Sequence, residues 1–389
     1  MKMKNAALVS IAVVASLLAL PTRLSAQRAL PTDLAPKIEV TFVLDTTSSM
    51  VNLIEGAKRK IWTIARQMVG GRPTSAIKLG LVGFRDRGDE YVTRTFDLTN
   101  DIDAIYGHLI EFRAGGGGDI PESVNQALNE AVTKLSWSRE PNTLKIIFLV
   151  GDAPPHMDYP NEAKYPDILQ VAARAGIIIN TIQCGFNAQT TPVWQEIATK
   201  AAGAYVQIDQ SGGMTGITTP VDTELSRLSN ELSRTVVPYG KATTQAEVRS
   251  KTDAAVRADV DRVVYLNVDR AEFGAKVVVT GEGELIWDVV NRKVKLEEIP
   301  DSDLPVLLKE MTIQQRTTFV SEQFAKRKEL QIKVDELATQ RNVHIKEAMD
   351  KLGAAGNRDS FDAKVAEIIQ AQARRAGIDY DISSPAAQK

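Results

Sequence analysis

The stretch Ile38–Met50 (IEVTFVLDTTSSM) constrains this chain more than any other. Residues 38 to 44 are a β-branched apolar run, long enough for one buried strand and too short for a helix. The run stops at Asp45, and four hydroxyl residues, Thr46, Thr47, Ser48 and Ser49, precede a helical pattern. An acid at the carboxyl end of a buried parallel strand lies where open α/β sheets bind ligands. Asp45, Thr47 and Ser49 offer hard oxygens at alternate positions of one tight loop, a donor set suited to Mg²⁺ or Mn²⁺. The same hydroxyls would serve equally well to cap the next helix. The motif therefore needs support from the rest of the chain.

That support begins with an alternation of elements. A helical stripe runs over 51–69, a buried strand over 77–84, and a short edge strand over 91–96 after the turn R-D-R-G-D. A helix is expected at 102–112, then strands at 144–150, 177–183 and 204–208 with helices at 161–175, 192–201 and 219–236. Such alternation over 36–238 implies an α/β fold: a doubly wound, mostly parallel six-stranded sheet with flanking helices. Two further acids stand on its loops. A run of glycines, 115 to 118, leads to Asp119, and Pro121 with Glu122 reads as the start of a helix running to about Leu135. Asp152 follows the strand at 144–150 in the sequence G-D-A-P-P. If the topology is as read, Asp45, Thr47, Ser49, Asp119 and Asp152 share one sheet edge and form a metal site with room for a ligand.

The three motifs D-T-T-S-S, G-G-G-G-D-I-P-E and L-V-G-D-A-P-P, in that order, resemble the metal-ion-dependent adhesion site of the von Willebrand factor A domain. The resemblance spans about 36–238, edge strand included. It implies a Mg²⁺-type ion held by Asp45, Thr47 and Ser49, with Asp152 matching the acid after the fourth strand. It also implies a protein partner, which in this family commonly completes the coordination with a carboxylate of its own. Thr47 stands where the family usually has Ser and keeps the hydroxyl. Asp119 stands where many members have Thr, and a third carboxylate offsets more of the ion's charge, so a partner's carboxylate is drawn in less strongly. The G-G-G-D-x-P-E form resembles a bacterial and kinase-associated branch. The expected function is a non-enzymatic, metal-dependent protein-binding module. The alternatives are a metal-dependent hydrolase, for which no general base is evident, and a structural or assembly protein acting through its C-terminal helix.

Other residues carry less. The glycine run lacks the G-K-[ST] of a phosphate loop. Cys184, the single cysteine, excludes an intramolecular disulfide and reads as a buried, inert thiol at the end of an apolar run. His156, four residues after Asp152, could reach the rim of the site but reads as a loop histidine with an ordinary hydrogen bond; Asp86 reads as pairing with Arg85 or Arg87 or capping a turn, with a supporting role behind the site as the alternative. A formal charge of −2 supplies no basic excess for nucleic acid.

The two ends differ in composition from the middle. Residues 1–26 combine Lys2 and Lys4, an apolar stretch from Ala6 to Leu20 and the small-residue end Ser25-Ala26, the layout of a signal peptide. The apolar stretch is shorter than the roughly 20 residues of a membrane span. Cleavage near Gln27 would leave a secreted or periplasmic protein with no transmembrane span, beginning with a linker at 27–35 and the domain at 36–238; an uncleaved N-terminal anchor is the alternative. Beyond Pro238 the chain (239–389) is charged and mainly helical, with a short strand expected at 277–280. Residues 312–352 contain neither Pro nor Gly, and Thr312 with Gln315 gives a capping box. Their ragged heptad suits a long helix packed on a neighbour, with coiled-coil self-association as the alternative. A final amphipathic helix is expected at 360–376. The change of composition at 238 suggests that 36–238 folds by itself.

Overall fold

The computed structural model describes residues 36–69, 76–213, 217–257, 282–352 and 360–380. The opening apolar run is the heart of β1 (Lys37–Asp45), which pairs in parallel with β2 (Ala76–Phe84). β3 (Thr93–Thr99) lies antiparallel on the outer side of β2. β4 (Thr143–Gly151) lies parallel on the other side of β1, followed outward by β5 (Ile177–Cys184) and β6 (Tyr205–Ile208), both parallel. The order is β3-β2-β1-β4-β5-β6, and the sheet is six-stranded and mostly parallel, as the alternation of elements implied.

Side chains of a strand point alternately to its two faces, and both faces here are covered by helices. Val40, Phe42 and Leu44 enter one core with α1 (Val51–Val69) and α2 (Ile102–Glu111). Val43, Ile147 and Leu149 enter the other with α3 (Val124–Thr133), α4 (Tyr165–Ala175) and α5 (Thr190–Lys200). Burial on both faces explains why the strands read as nearly continuous apolar runs.

The start of α3 departs from the expectation. Glu122 is not in the helix: its N–H donates to the Pro154 carbonyl (3.0 Å), and its own carbonyl accepts from His156 N–H (3.1 Å). Ser123 N–H goes to the Arg85 carbonyl (3.1 Å). Backbone groups committed to two other loops cannot open a helix, so α3 begins at Val124.

After β6 the chain leaves the sheet. α6 (Asp222–Ser233) sets Leu225, Leu228 and Leu232 against Leu330 and Val334 of a 40-residue helix, Ile313–Leu352. The long helix thus packs on a neighbour within its own chain. Its start carries the expected reciprocal cap, Thr312 N–H to Gln315 Oε1 (2.8 Å) and Gln315 N–H to Thr312 Oγ1 (3.3 Å). Buried Arg327 grips Glu284 with two hydrogen bonds of 3.0 Å each, and buried Arg341 meets Asp222 at 3.1 Å.

The chain then returns. The final helix, Phe361–Arg375, places Phe361, Val365, Ile368, Ile369 and Ala373 in the same core as β1 and α1. Phe361 lies against Phe42, with ring centroids 6.2 Å apart. Gln372 and Asn180 exchange buried amide hydrogen bonds of 2.7 and 3.2 Å, and Tyr380 OH donates to the Met68 carbonyl (3.0 Å). Among the described residues no helix is long and apolar enough to cross a membrane. The segments read as signal peptide, linker and 277–280 strand lie outside the described residues.

Candidate functional site

Parallel pairing delivers the ends of β1, β2, β4, β5 and β6 to one edge of the sheet, with Leu44 opposite Val150 and Asp45 opposite Phe84. Asp45 is fully buried there. Its Oδ1 accepts from Thr47 N–H (2.8 Å) and Thr47 Oγ1 (2.6 Å), and that hydroxyl lies 3.2 Å from Ser49 Oγ. The second oxygen, Oδ2, has no hydrogen-bond partner. Burial, and next the charge of Asp152, push the Asp45 carboxyl up to about 7. Gly151 makes the approach possible, since a Cβ there would come within 2.8 Å of the Asp45 Cβ.

The glycine loop is laid over this turn. Ser48 Oγ donates to the Gly116 carbonyl (2.8 Å), and Gly115 N–H to that of Thr46 (3.1 Å). Asp89, from the R-D-R-G-D turn, accepts from Gly117 N–H (3.1 Å). Arg85 ties down the same loop through the Arg113 carbonyl (2.7 Å). Behind the glycines sits Glu122, buried, with Oε2 unpartnered. Burial, and next Asp45, push its carboxyl up to about 9.

Thr47, Ser49, Asp119, Glu122, Asp152 and Gln210 line a cleft of about 420 Å³. Thr47, Ser49 and Asp152 line it, and Asp45 lies buried behind them, hydrogen-bonded to Thr47. Asp119 lines the cleft too, but its carboxylate is 62% exposed and lies 3.5 Å from His156 Nε2. Two residues at this cleft escaped the reading of the sequence. In sequence Glu122 reads as a helix start, and its nearness to Asp119 is the one signal that points to the cleft. Gln210 gave no local signal beyond its place after β6; its Nε2 donates to Asp152 Oδ2 (2.8 Å) and to the Ser49 carbonyl (3.3 Å).

Beside the cleft lies an acid–histidine cluster of Asp86, Asp119 and His156, whose ligand atoms fall within 4.8 Å of one another and could coordinate a metal. Asp86 corrects the expectation of an arginine partner: it accepts from Ser123 Oγ (2.8 Å) and Tyr159 OH (2.6 Å), while Arg87 pairs with Glu162. Asp86 turns inward and both arginines turn outward or to carbonyls, which a local sequence pattern does not reveal. His156 is, as read, a loop residue with an ordinary hydrogen bond, and it is buried. It stacks on Tyr159 with centroids 3.9 Å apart and places Nδ1 2.8 Å from Asp158 Oδ1, leaving Nε2 unpartnered between Asp86 and Asp119. Cys184 is buried, and burial raises its thiol well above the ordinary value, in keeping with an inert thiol.

These residues fit a divalent cation. Buried polar atoms without partners are costly; Glu122 lines the cleft with Thr47, Ser49 and Asp152, and Asp45, buried beside it, bonds to Thr47. Hard oxygens are the donors that Mg²⁺ and Mn²⁺ prefer.

Comparison with known proteins bears on the same segment. Residues 39–219 match the von Willebrand factor A domain family. Over 123 residues the chain is 36% identical to von Willebrand factor A domain-containing protein 7 of Rattus norvegicus, covering 32% of this chain and 13% of that protein. It is 27% identical over 121 residues to the alpha-protein kinase vwkA of Dictyostelium discoideum, covering 31% of this chain and 19% of the kinase. A solved structure of proximal thread matrix protein 1 from the mussel byssus, with a zinc-occupied MIDAS motif, overlaps 44% of this chain and 42% of its own at 19% identity and a TM-score of 0.36. The chain thus spans only a small part of the length of these curated relatives.

Proposed function

We propose, from the premise that this chain contains a von Willebrand factor A domain at residues 39–219, that it is a non-catalytic protein-binding module whose binding depends on a divalent metal. One observation carries the reading: two buried carboxylate oxygens without partners, on Asp45 and Glu122, beside a cleft that also presents Thr47, Ser49 and Asp152. Those residues, with Asp119 at the rim, would hold Mg²⁺ or Mn²⁺. The ion would supply a positive centre for a ligand atom, while the glycine loop and Gln210 keep the donors in place. Domain homology supports an interaction module rather than an enzyme. The layout of residues 1–26 supports export to the periplasm or the exterior.

Calorimetric titration of Mg²⁺ and Mn²⁺ into the full chain, with thermal melts alongside, tests the metal. Binding should raise the melting temperature by an amount that grows with the logarithm of free metal. Asp45→Ala and Asp152→Ala should abolish the effect, and Asp119→Ala should weaken it. Wild-type protein with no heat of binding and no thermal shift at millimolar metal would leave Asp45 to Ser49 a helix cap and nothing more.

A further inference from the structure

The cleft does not account for His156. Asp158 Oδ1 lies 2.8 Å from its Nδ1, and a carboxylate can only accept, so Nδ1 carries the proton. In the neutral ring Nε2 is then a bare lone pair. The side chain is only 6% exposed, and Nε2 has no hydrogen-bond partner. It faces two more acceptors, Asp86 Oδ2 and Asp119 Oδ2, each 3.5 Å away. Three electron-rich atoms turned on one point repel one another unless a cation stands between them. A second proton on Nε2 would supply one, but at 3.5 Å neither acid is at ordinary hydrogen-bonding distance. A metal ion fits that spacing better. Metal–nitrogen and metal–oxygen bonds of about 2.0–2.2 Å at a tetrahedral angle hold their donor atoms roughly 3.3–3.6 Å apart. All three donors lie within 4.8 Å of one another, so a single ion can reach them.

We propose that Asp86, Asp119 and His156 form a second metal site, separate from the hard-oxygen cleft, and that its ion is Zn²⁺. Neither Asp86 nor His156 lines the cleft. An imidazole nitrogen with two carboxylates suits Zn²⁺, whereas Mg²⁺ takes oxygen donors. The donors are also held from behind, as metal ligands usually are. Asp158 fixes the tautomer of His156, and stacking on Tyr159 fixes its ring. Ser123 Oγ (2.8 Å) and Tyr159 OH (2.6 Å) hold the Asp86 carboxylate. Three protein ligands leave the fourth position of a tetrahedral ion to water or to a donor atom of a partner. The ion ties together the R-D-R-G-D turn, the glycine loop and the loop after β4, and the last two of these line the cleft. Asp119 at the rim serves both sites, so Asp152 and His156 are the residues that tell them apart.

The test is calorimetric titration of Zn²⁺ into the metal-stripped full chain carrying Asp152→Ala, which removes the first site. About one equivalent should bind at micromolar concentration. Adding His156→Gln should weaken Zn²⁺ by more than the roughly 10–100-fold lost with a residue that only orients a ligand, and adding Asp158→Asn by about that amount. Adding Asp119→Asn, at an exposed side chain, repeats the loss where folding is not at risk, and melts without metal check the other variants. Co²⁺ in place of Zn²⁺ should give the visible absorption of a tetrahedral site, absent after His156→Gln. His156→Gln alone should keep the Mg²⁺ thermal shift. No Zn²⁺ binding by Asp152→Ala would overturn the proposal and leave His156 an imidazolium between two acids. Zn²⁺ affinity unchanged by His156→Gln, or a Mg²⁺ shift lost with it, would overturn it equally. A wild type without the Mg²⁺ shift strikes only the reading of the cleft, since the Zn²⁺ titrations still decide this one.

Discussion

At the scale of single residues the site is a set of carboxylates in conflict. Asp45 and Glu122 are buried with one oxygen each unpartnered, and their carboxyls are raised to about 7 and about 9 from ordinary values of 3.8 and 4.5. In the metal-free protein the native state therefore keeps protons that the unfolded chain releases. Their contribution to stability is fully present below the ordinary values and is lost as pH rises through about 7 and then about 9. Denaturant titration in chelator should accordingly show stability falling between pH values of about 5 and 9, and saturating Mg²⁺ should flatten that fall by replacing the protons. A chelated protein equally stable at both ends would mean that the two carboxyls are solvated in solution.

At the scale of elements, loops and helices are fixed by contacts between segments far apart in sequence. Gly116 has φ +75°, and an added Cβ would sit 2.3 Å from the Asp89 carboxylate, which also holds Gly117. Gly116→Ala should cost about 1–3 kcal/mol in backbone strain and loosen metal binding, measured as melting temperature and Mg²⁺ affinity. Metal affinity unchanged by this substitution would show that the glycine loop does not shape the site. In the C-terminal region the comparable element is the Arg327–Glu284 pair, with side chains only 2% and 3% exposed. Glu284 also accepts from Val237 N–H (3.0 Å) and Trp287 N–H (2.7 Å). Glu284→Ala strands a buried guanidinium and two backbone donors, so a loss of about 3–5 kcal/mol is expected. The double replacement Arg327→Met with Glu284→Leu should cost much less than the single change, since it leaves no uncompensated charge. Equal losses from the single and double variants would assign the cost to the backbone cap instead.

At the scale of the whole molecule, the feature that matters most is the return of the chain. The described residues of 217–257 and 282–352 depart from the sheet, yet the final helix comes back to cover the face formed by Phe42 and Phe148 beside α1. The change of composition near 238 marks where the chain leaves the sheet, and truncation there asks whether it also marks where the domain ends. A 36–238 fragment would expose the apolar surface under Phe361, Val365 and Ile369, so its melting temperature should fall well below that of the full chain. Phe361→Ala in the full chain should cost about 3–5 kcal/mol through the cavity it leaves. A fragment as stable as the parent would make the final helix an addition to a finished core.

What the sequence determined by itself follows from local chemistry. Apolar runs of strand length, helical stripes between them, and acids at strand ends are patterns of period and position, so the six-stranded sheet, its edge strand and the capped long helix were legible residue by residue. The gathering of Asp45, Thr47, Ser49 and Asp152 was legible too, because parallel strands put their carboxyl ends on one side. Tertiary structure alone decided the rest. Glu122 and His156 are site residues because the bridge from Glu122 to Pro155 draws two loops together, and Asp86 faces His156 rather than an arginine because it is turned inward. The final helix lies on the sheet because an apolar stripe states that a helix must be buried, while only the folded chain states against what.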